Sequence, residues 1–518
     1  MAVEPSDYSA PGTGPQFAGS RPIPLFATLV TAFVGRTQRG PINEPVTVES
    51  FDAFRRAFGG HGPLGFLSQS IQQYFDHGGR RAVVVRVTNR AVRATLDVPA
   101  GDSALRLQVR DPGCHDFIRV SVDYDGIHDE NDEFNLVVQR VTRTGSQLVE
   151  DQELFRRLSM SETDETFVVD ALKASKLVRL LEPLPAVRPE ATASARPGQL
   201  IPYLELSMPG SDGEELTDYD VIGSNEEQTG LFALEGIDNM DLLCIPALSS
   251  GRELGITAFL AAERYCKQRP AMLIWDPPWS WTSVETALIG MRDSGLASQN
   301  AMTYFPRVHA GETGDRYPNG VPIGGAIAGL LARNAETGVW QDLNDCDTRL
   351  KPSFRAAVEI DDRDARMLRA RGVNCISDEA DGVLRLRGNV TLAGSSAVAR
   401  LWQRLDRRRL AFFILGMIRR YTRWAAEEPR GEALVAALEQ QVSTFLNQLF
   451  LQGALAGRHP RQAYSVRVAS GGEDAELTVR VGFALERASE FQMYDVIHRQ
   501  DTSEIKPVPP MEAAQLAG

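Results

Sequence analysis

The sequence predicts a multidomain protein of mixed α/β and α+β class. It should have a parallel α/β middle domain, a β-rich inserted domain, C-terminal helices with a small sheet, and extended terminal arms. Three observations predict this. From residue 200 onward strand-length apolar runs alternate with helical periodicity: MDLLCIPA, a helix over 253–267, AMLIWDPP, a helix over 282–293, then MTYFP. Such alternation is the pattern of βαβ units. Between 92 and 198 the runs shorten and alternate with period two, as in LRLQV, FIRVSVDY and FNLVVQRV, with turn residues such as Asp111-Pro112-Gly113 between them. The length of 518 residues leaves room for about three domains.

Taken in order, residues 1–24 hold Pro5, Pro11, Gly12, Gly14, Pro15, Gly19, Pro22 and Pro24, too many breakers for a helix or central strand, and read as an extended arm. Residues 25–91 read as a β-α-α-β unit, the N-terminal part of the core. LFATLVTAFVG suits a buried strand, Ser50 caps a helix over FDAFRRAF that Gly59 and Gly60 close, and Leu64, Leu67, Ile71, Tyr74 and Phe75 recur at helical spacing. RAVVVRV then reads as a strand buried on both faces. The β-rich stretch 92–198 looks inserted; it carries a helix near 171–181 and ends in the linker-like LEPLPAVRPEATASARPG.

Residues 199–345 form the α/β middle domain, whose helix GGAIAGLLAR carries Gly325 and Gly329, small enough for another backbone to approach closely. Residues 346–498 form a C-terminal core, with helices at about 396–426 and 431–455 before the strands YSVRVAS and ELTVRVGFAL. Residues 499–518 are a polar, proline-bearing tail.

Hydrophobic residues make up 43% and charged residues 24% of the chain, which argues against disordered, collagenous or wholly coiled-coil structure. The 55 basic and 68 acidic side chains give a net charge of −13, which disfavours non-specific binding to nucleic acid or anionic lipid. The five cysteines are far apart and form no CxxC, so neither a disulfide framework nor a zinc ribbon is expected. MAVEPSDYSAPG lacks the basic and apolar regions of a secretory signal. The run Leu410 to Ile418 is about half as long as a bilayer span, and no membrane insertion is expected.

An α/β sheet places strand ends such as Asp276 where ligands commonly bind, so a divergent α/β ligand-binding enzyme is the alternative reading. The motifs do not favour it: no GxGxxG follows a strand, and GxxxxGK[ST], GxSxG and HExxH are absent. The glycines at 320, 324, 325 and 329 suit a phosphate cradle, but the lysine that would meet the charge is missing, and helix packing is preferred. Asp123 to Asn135 resembles a calcium loop in composition, yet Ile127 replaces an oxygen ligand, and a solvated loop is the simpler reading. Cys114-His115-Asp116 is contiguous and is not expected to converge on one tetrahedral ion, so no metal and no cofactor is assigned. Trp275, Trp279 and Trp281 read as buried rather than as a binding platform.

Between Val398 and Arg430 nine arginines face Asp406, Glu427 and Glu428, a local +6. An interface with an acidic partner is preferred, with a solvated face next and nucleic acid weaker.

Several segments together resemble the tail sheath proteins of contractile phages and related contractile injection systems. They are SRPI (20–23), TLVTAFVGRTQRGPINEPVTVESFDAFRRAFGG, LGFLSQSIQQYFDHGGRRAVVVRV, DPG with FNLVV, GIDNMDLLCIPA, GGAIAGLLARNAETGVW, DRRRL, FLNQLFLQGALAG and SEFQMYDVIHRQ. The chain departs from the family where Cys114-His115-Asp116 replaces Trp-Gly-Asn, at Gly388-Asn389-Val390-Thr391, and in the arm PGTGPQFAGS, which suggests a divergent branch.

The resemblance implies a structural subunit, not an enzyme, that polymerises helically around an inner tube and contracts to drive the tube through a target envelope. Its implied partners are further copies of itself, alone or with sheath paralogues, the inner tube protein, and baseplate and tail terminator proteins. It would assemble in the cytoplasm and end as a component of a phage tail or injection particle. Assembly contacts are expected at Tyr8, Pro11 and Gly12 in the arm, at Arg404 and Arg408 in the basic helix, and at Glu490 and Phe491 near the end.

Overall fold

A computed structural model of the chain describes residues 17, 19–62, 65–128, 132–142, 148–192, 203–310, 317, 320–378, 381–393, 400–470, 476–488, 490–500 and 502–509. Strand β1 (Val30–Gly35) is buried at every position and is followed by the short β2 (Val46–Val48). Helix α1 (Phe51–Phe58) starts where Ser50 Oγ accepts the Ala53 N–H at 3.1 Å, and it buries Phe54 and Phe58. Helix α2 (Leu67–Asp76) turns Leu67, Ile71 and Tyr74 inward before strand β3 (Arg81–Arg86).

The chain then enters a β-rich lobe: β4 (Thr95–Ala100), β5 (Ser103–Val109), β6 (Ile118–Asp123), β7 (Glu133–Val141), β8 (Val149–Ser159), α3 (Val168–Lys173) and β9 (Val178–Leu181). Two three-stranded sheets, β4-β5-β9 and β6-β7-β8, close over a core of their own that includes Leu96, Leu107, Val120, Leu136 and Val178. The helix expected near 171–181 is shorter and earlier, because Val178 pairs with Val109 and carries residues 178–181 into the sheet. The chain stays with the lobe past 198: Leu204 exchanges backbone hydrogen bonds with Val120, Met208 with Thr95 and Ser211 with Val92.

Next come α4 (Asp218–Ile222), β10 (Leu242–Cys244), α5 (Ile256–Gln268), β11 (Met272–Ile274), α6 (Val284–Ser294) and β12 (Ala301–Met302). These strands join the N-terminal ones in a single six-stranded sheet, in the order β12-β11-β10-β1-β3-β2, parallel except for β2. Residues 25–91 and 199–345, read from the pattern as separate parts, therefore share one sheet, and the lobe is inserted between its strands. Successive residues of β1 serve opposite faces. Phe33 packs in the cluster with Tyr74 and Ile327, while Ala32 and Val34 pack with Leu243 and Phe259.

The remainder comprises β13 (Tyr304–Phe305), β14 (Val308–Ala310), α7 (Gly324–Ala335), β15 (Phe354–Ala356), α8 (Asp362–Ala370), β16 (Asn374–Asp378), β17 (Leu384–Arg387), α9 (Leu405–Thr422) and α10 (Glu432–Leu451). Helix α7 lies so close to α2 that a Cβ on Gly325 would stand 1.9 Å from Ser70 O, and one on Gly329 2.4 Å from Tyr74 O. An antiparallel meander, β18 (Tyr464–Ser470), β19 (Leu477–Ala484), β20 (Phe491–His498) and β21 (Ser503–Pro507), ends the described chain. The expected tail thus contributes a fourth strand. No helix among the described residues is long and apolar enough to cross a membrane.

Candidate functional site: assembly edges and a basic cleft

The C-terminal meander buries Val479, Val481 and Phe483 of β19 against the main core, so its two outer strands decide what else it can pair with. The outer edge of β18 meets α10: Glu439 Oε1 accepts the Val468 N–H at 3.0 Å, and Tyr464 Oη donates to Asn447 Oδ1 at 3.4 Å. Beyond β21 no further strand pairs among the described residues. That edge carries Glu504, Lys506 and Pro507, the charge and proline that blunt an edge in a free subunit.

Phe491 opens β20 opposite Ala484, with its ring against Gly482, where a Cβ would stand 2.4 Å from a ring carbon. Glu490 closes the preceding turn through its N–H to Arg487 O at 2.9 Å. Tyr8, Pro11 and Gly12 lie outside the described residues. From Phe17 the arm is seated. The Phe17 ring lies 5.5 Å from that of Trp424, Gln441 Nε2 donates to Arg21 O at 2.6 Å, and Ile23 is buried.

The basic helix requires a correction. Arg404 and Arg408 are the expected assembly contacts of this segment, but Arg408 is 6% exposed. It donates to Asn300 Oδ1 and lies over the Trp402 and Phe412 rings. Arg404, just before α9, is half-buried and holds Asp406 at 2.7 Å and Asp342 at 3.2 Å. Arg409 donates to Asn334 Oδ1 and Leu331 O, and burial pushes its guanidinium down to about 10. The reason is that α9 is buried around most of its circumference. Arginines on such a helix must find partners inside the subunit.

The positive surface lies at the other end of α9. Arg419, Arg420 and Arg423 join Arg269 and Lys506 around a cleft of about 660 Å³, facing Glu235, Asp238 and Glu504. Five cations face three carboxylates, so the cleft keeps a positive excess. Arg419 donates to Asp238 O at 3.0 Å and Arg423 to Asp238 Oδ1 at 2.9 Å. Burial and the neighbouring Arg269 and Arg420 lower the Arg419 guanidinium. The charge count over 398–430 included three of these residues. Arg269 and Lys506 are remote in sequence, and no local signal links them.

The ligand crevice expected of a doubly wound sheet lies between β1 and β10, and the start of α2 covers it. Leu67 packs 3.6 Å from a Cβ position on Gly35, and one on Gly65 would stand 3.0 Å from Leu248 O. Asp276 caps α7 internally: Oδ1 accepts from Gly324 N–H at 2.8 Å and Ile323 N–H at 3.2 Å. Burial raises its carboxyl to about 6 against those bonds and the nearby Arg307. Trp275 and Trp281 are buried edge to face. Asp123 Oδ1 accepts from Asp125 N–H and Asn135 Nδ2, closing the β6–β7 hairpin. Of the contiguous Cys114-His115-Asp116, not expected to converge on one ion, Asp116 pairs with Arg140, while Cys114 and His115 both reach Asp212.

Neither a family model nor a curated protein matches the chain. Solved structures do. The sheath tail protein Lin1278 from Listeria innocua is similar over 92% of this chain and 96% of its own, with a TM-score of 0.64 and 12% identity. The sheath tail protein DSY3957 from Desulfitobacterium hafniense matches over 97% and 99%, at 0.54 and 12%. The PVC sheath of an extracellular contractile injection system, in its contracted state, matches over 94% and 96%, at 0.52 and 14%. Along nearly its whole length, this chain has the fold of a sheath tail protein.

Proposed function

We propose that this chain is the structural subunit of a contractile sheath that polymerises helically around an inner tube and contracts to drive it through a target envelope. The observation that carries the reading is the near full-length likeness to sheath proteins, one of them in a contracted assembly. A head-to-tail interface whose rotation does not close gives a filament, and a rigid-body change between two packings gives the switch. In this reading the N-terminal arm and the β21 edge exchange strands with neighbouring copies, which keeps subunits tethered while their bodies move. The cleft around Arg419 and Arg423 replaces Arg404 and Arg408 as the contact for an acidic partner, a tube exterior or a neighbouring subunit. Baseplate and tail terminator proteins are the partners at the two ends. Electron microscopy of the concentrated protein tests the reading: hollow tubes or cogwheel-like cross-sections are expected. Monodisperse particles that turn over a small ligand would favour the divergent enzyme instead.

A further inference from the structure

Where the lobe leaves and rejoins the main sheet, three side chains with different donor atoms meet. Cys114 and His115 stand on the loop between β5 and β6, and Asp212 stands on the returning segment, between the bridge residues Ser211 and Gly213. Cys114 Sγ and His115 Nε2 each lie 3.0 Å from the same atom, Asp212 Oδ2, and the three donors lie within 4.8 Å of one another. The other carboxylate oxygen, Oδ1, accepts the Cys114 N–H at 3.1 Å, which aims Oδ2 at the other two.

The backbone holds this geometry. A Cβ on Gly210 would stand 2.1 Å from Gly113 O, so the two segments touch main chain to main chain. Arg86 Nη2 donates to Pro112 O at 2.7 Å and Arg36 Nη2 to Asp212 O at 2.6 Å, anchoring both segments to the main sheet. Asp116, which completes the contiguous triplet in sequence, is held by Arg140 at 2.7 Å and takes no part.

We propose that Cys114, His115 and Asp212 form a zinc site that staples the β5–β6 loop to the returning segment. Tetrahedral zinc, with bonds of about 2.0–2.3 Å, needs donors about 3.3–3.8 Å apart, so the two 3.0 Å contacts to Asp212 Oδ2 have to open slightly, while Cys114 Sγ and His115 Nε2, within 4.8 Å of each other, settle into the same range. A thiolate, an imidazole and one carboxylate suit a borderline-soft divalent ion, whereas magnesium or calcium takes an all-oxygen set. Cys114 is exposed, leaving the fourth position to water. On binding, the Cys114 thiol releases its proton to solvent, the thiolate bonds to zinc, and no electrons are transferred.

The test uses the full-length soluble chain, stripped with chelator, and therefore does not depend on polymerisation. Titration with zinc chloride is expected to give one ion per chain. Cys114→Ser and Asp212→Asn should each weaken binding by more than about 100-fold. Cobalt(II) in place of zinc should give a thiolate charge-transfer band that Cys114→Ser removes. Iodoacetamide labelling of the wild type, read peptide by peptide, covers the case of a variant that misfolds: zinc should slow modification of Cys114 by at least about tenfold. Equal labelling of Cys114 with and without zinc, or unchanged affinity in a folded Cys114→Ser, overturns the site.

Discussion

Arg408 donates from both Nε and Nη2 to a single acceptor, Asn300 Oδ1, at 3.1 and 2.6 Å. Asn300 in turn donates from Nδ2 to Glu263 Oε1 at 3.1 Å, so a chain of polar groups, buried as far as Asn300 and half-buried at Glu263, links α9 through the start of β12 to α5. The guanidinium also lies 4.6 Å and 4.2 Å from the ring centroids of Trp402 and Phe412. The site therefore matches a planar cation and little else.

It follows that Arg408→Glu damages the fold rather than an interface. Burying a carboxylate against Asn300 Oδ1 should cost more than about 4 kcal/mol, whereas Arg408→Met, which strands that oxygen and gives up the contact with Tyr494, should cost about 1–3 kcal/mol. Urea unfolding of the unpolymerised variants measures both. A folded Arg408→Glu of wild-type midpoint that fails only to assemble would return Arg408 to the surface.

The close approach of α2 and α7 predicts a sign reversal between two glycines. Gly325→Ala puts a methyl group 1.9 Å from Ser70 O and should destabilise by about 1–3 kcal/mol or more as the helices separate. Gly416→Ala, in α9, meets only Pro270 Cγ at 3.6 Å and should stabilise by up to about 1 kcal/mol through helix propensity. Paired thermal melts read the contrast, and equal shifts would refute it.

These cases show which relations are local enough to be legible. Ser50 before FDAFRRAF, and the small residues of α7, carry their meaning within one or two turns, and the structure has the cap and the close approach. The six-stranded sheet does not, because β1 pairs with β10 across the whole lobe. Nor does the inward turn of Arg408, because charge counting records no burial. Cys114 and His115 were legible as potential donors, but Asp212 lies far along the chain and only the closing of the lobe brings it to them.

His498 predicts acid sensitivity of the C-terminal meander. It is fully buried, with Nε2 2.7 Å from Thr422 Oγ1 and Nδ1 2.8 Å from Ser503 Oγ. Burial first, then Arg419, Arg423 and Arg430, push its imidazole down to about 4. The unfolded chain binds that proton near 6.5, so the contribution is complete above about pH 6.5. It is lost as pH falls toward about 4 and is worth about 3 kcal/mol. Asp276, raised to about 6 by burial, works oppositely and loses stability as pH rises. The comparison must therefore be wild type minus His498→Gln across this window. A difference independent of pH would remove His498 as the cause.

The seated part of the arm sets where a truncation can be cut. Removing residues 1–16 leaves Phe17 on Trp424 and Ile23 in the core, so a folded monomer is expected. If the arm supplies about four ladder hydrogen bonds at ~1 kcal/mol each to a neighbour, polymerisation should fail at concentrations where the full chain assembles. Sheaths of normal length from this truncation, seen by electron microscopy, would take the arm out of the assembly scheme.

The root of the lobe predicts how it can be removed. Asn89 bridges to both Gly213 and Glu214, with the Glu214 N–H donating to Asn89 O at 2.8 Å, so the outgoing and returning chains are already neighbours. Replacing residues 91–211 by a short Gly-Ser linker should therefore keep the main sheet closed, provided Gly213 stays, since a Cβ there would stand 2.0 Å from Asn89 O. The cost falls on two arginines. Arg86 loses Pro112 O and Arg39 loses Glu150, its partner at 2.7 Å. Uncovering that end of the sheet readmits water to both, so they are rehydrated rather than stranded, and the loss should stay within a few kcal/mol. The expected product is a soluble, cooperatively unfolding protein that still polymerises. Aggregation at every linker length tried would show instead that the lobe's own core is needed to complete the fold.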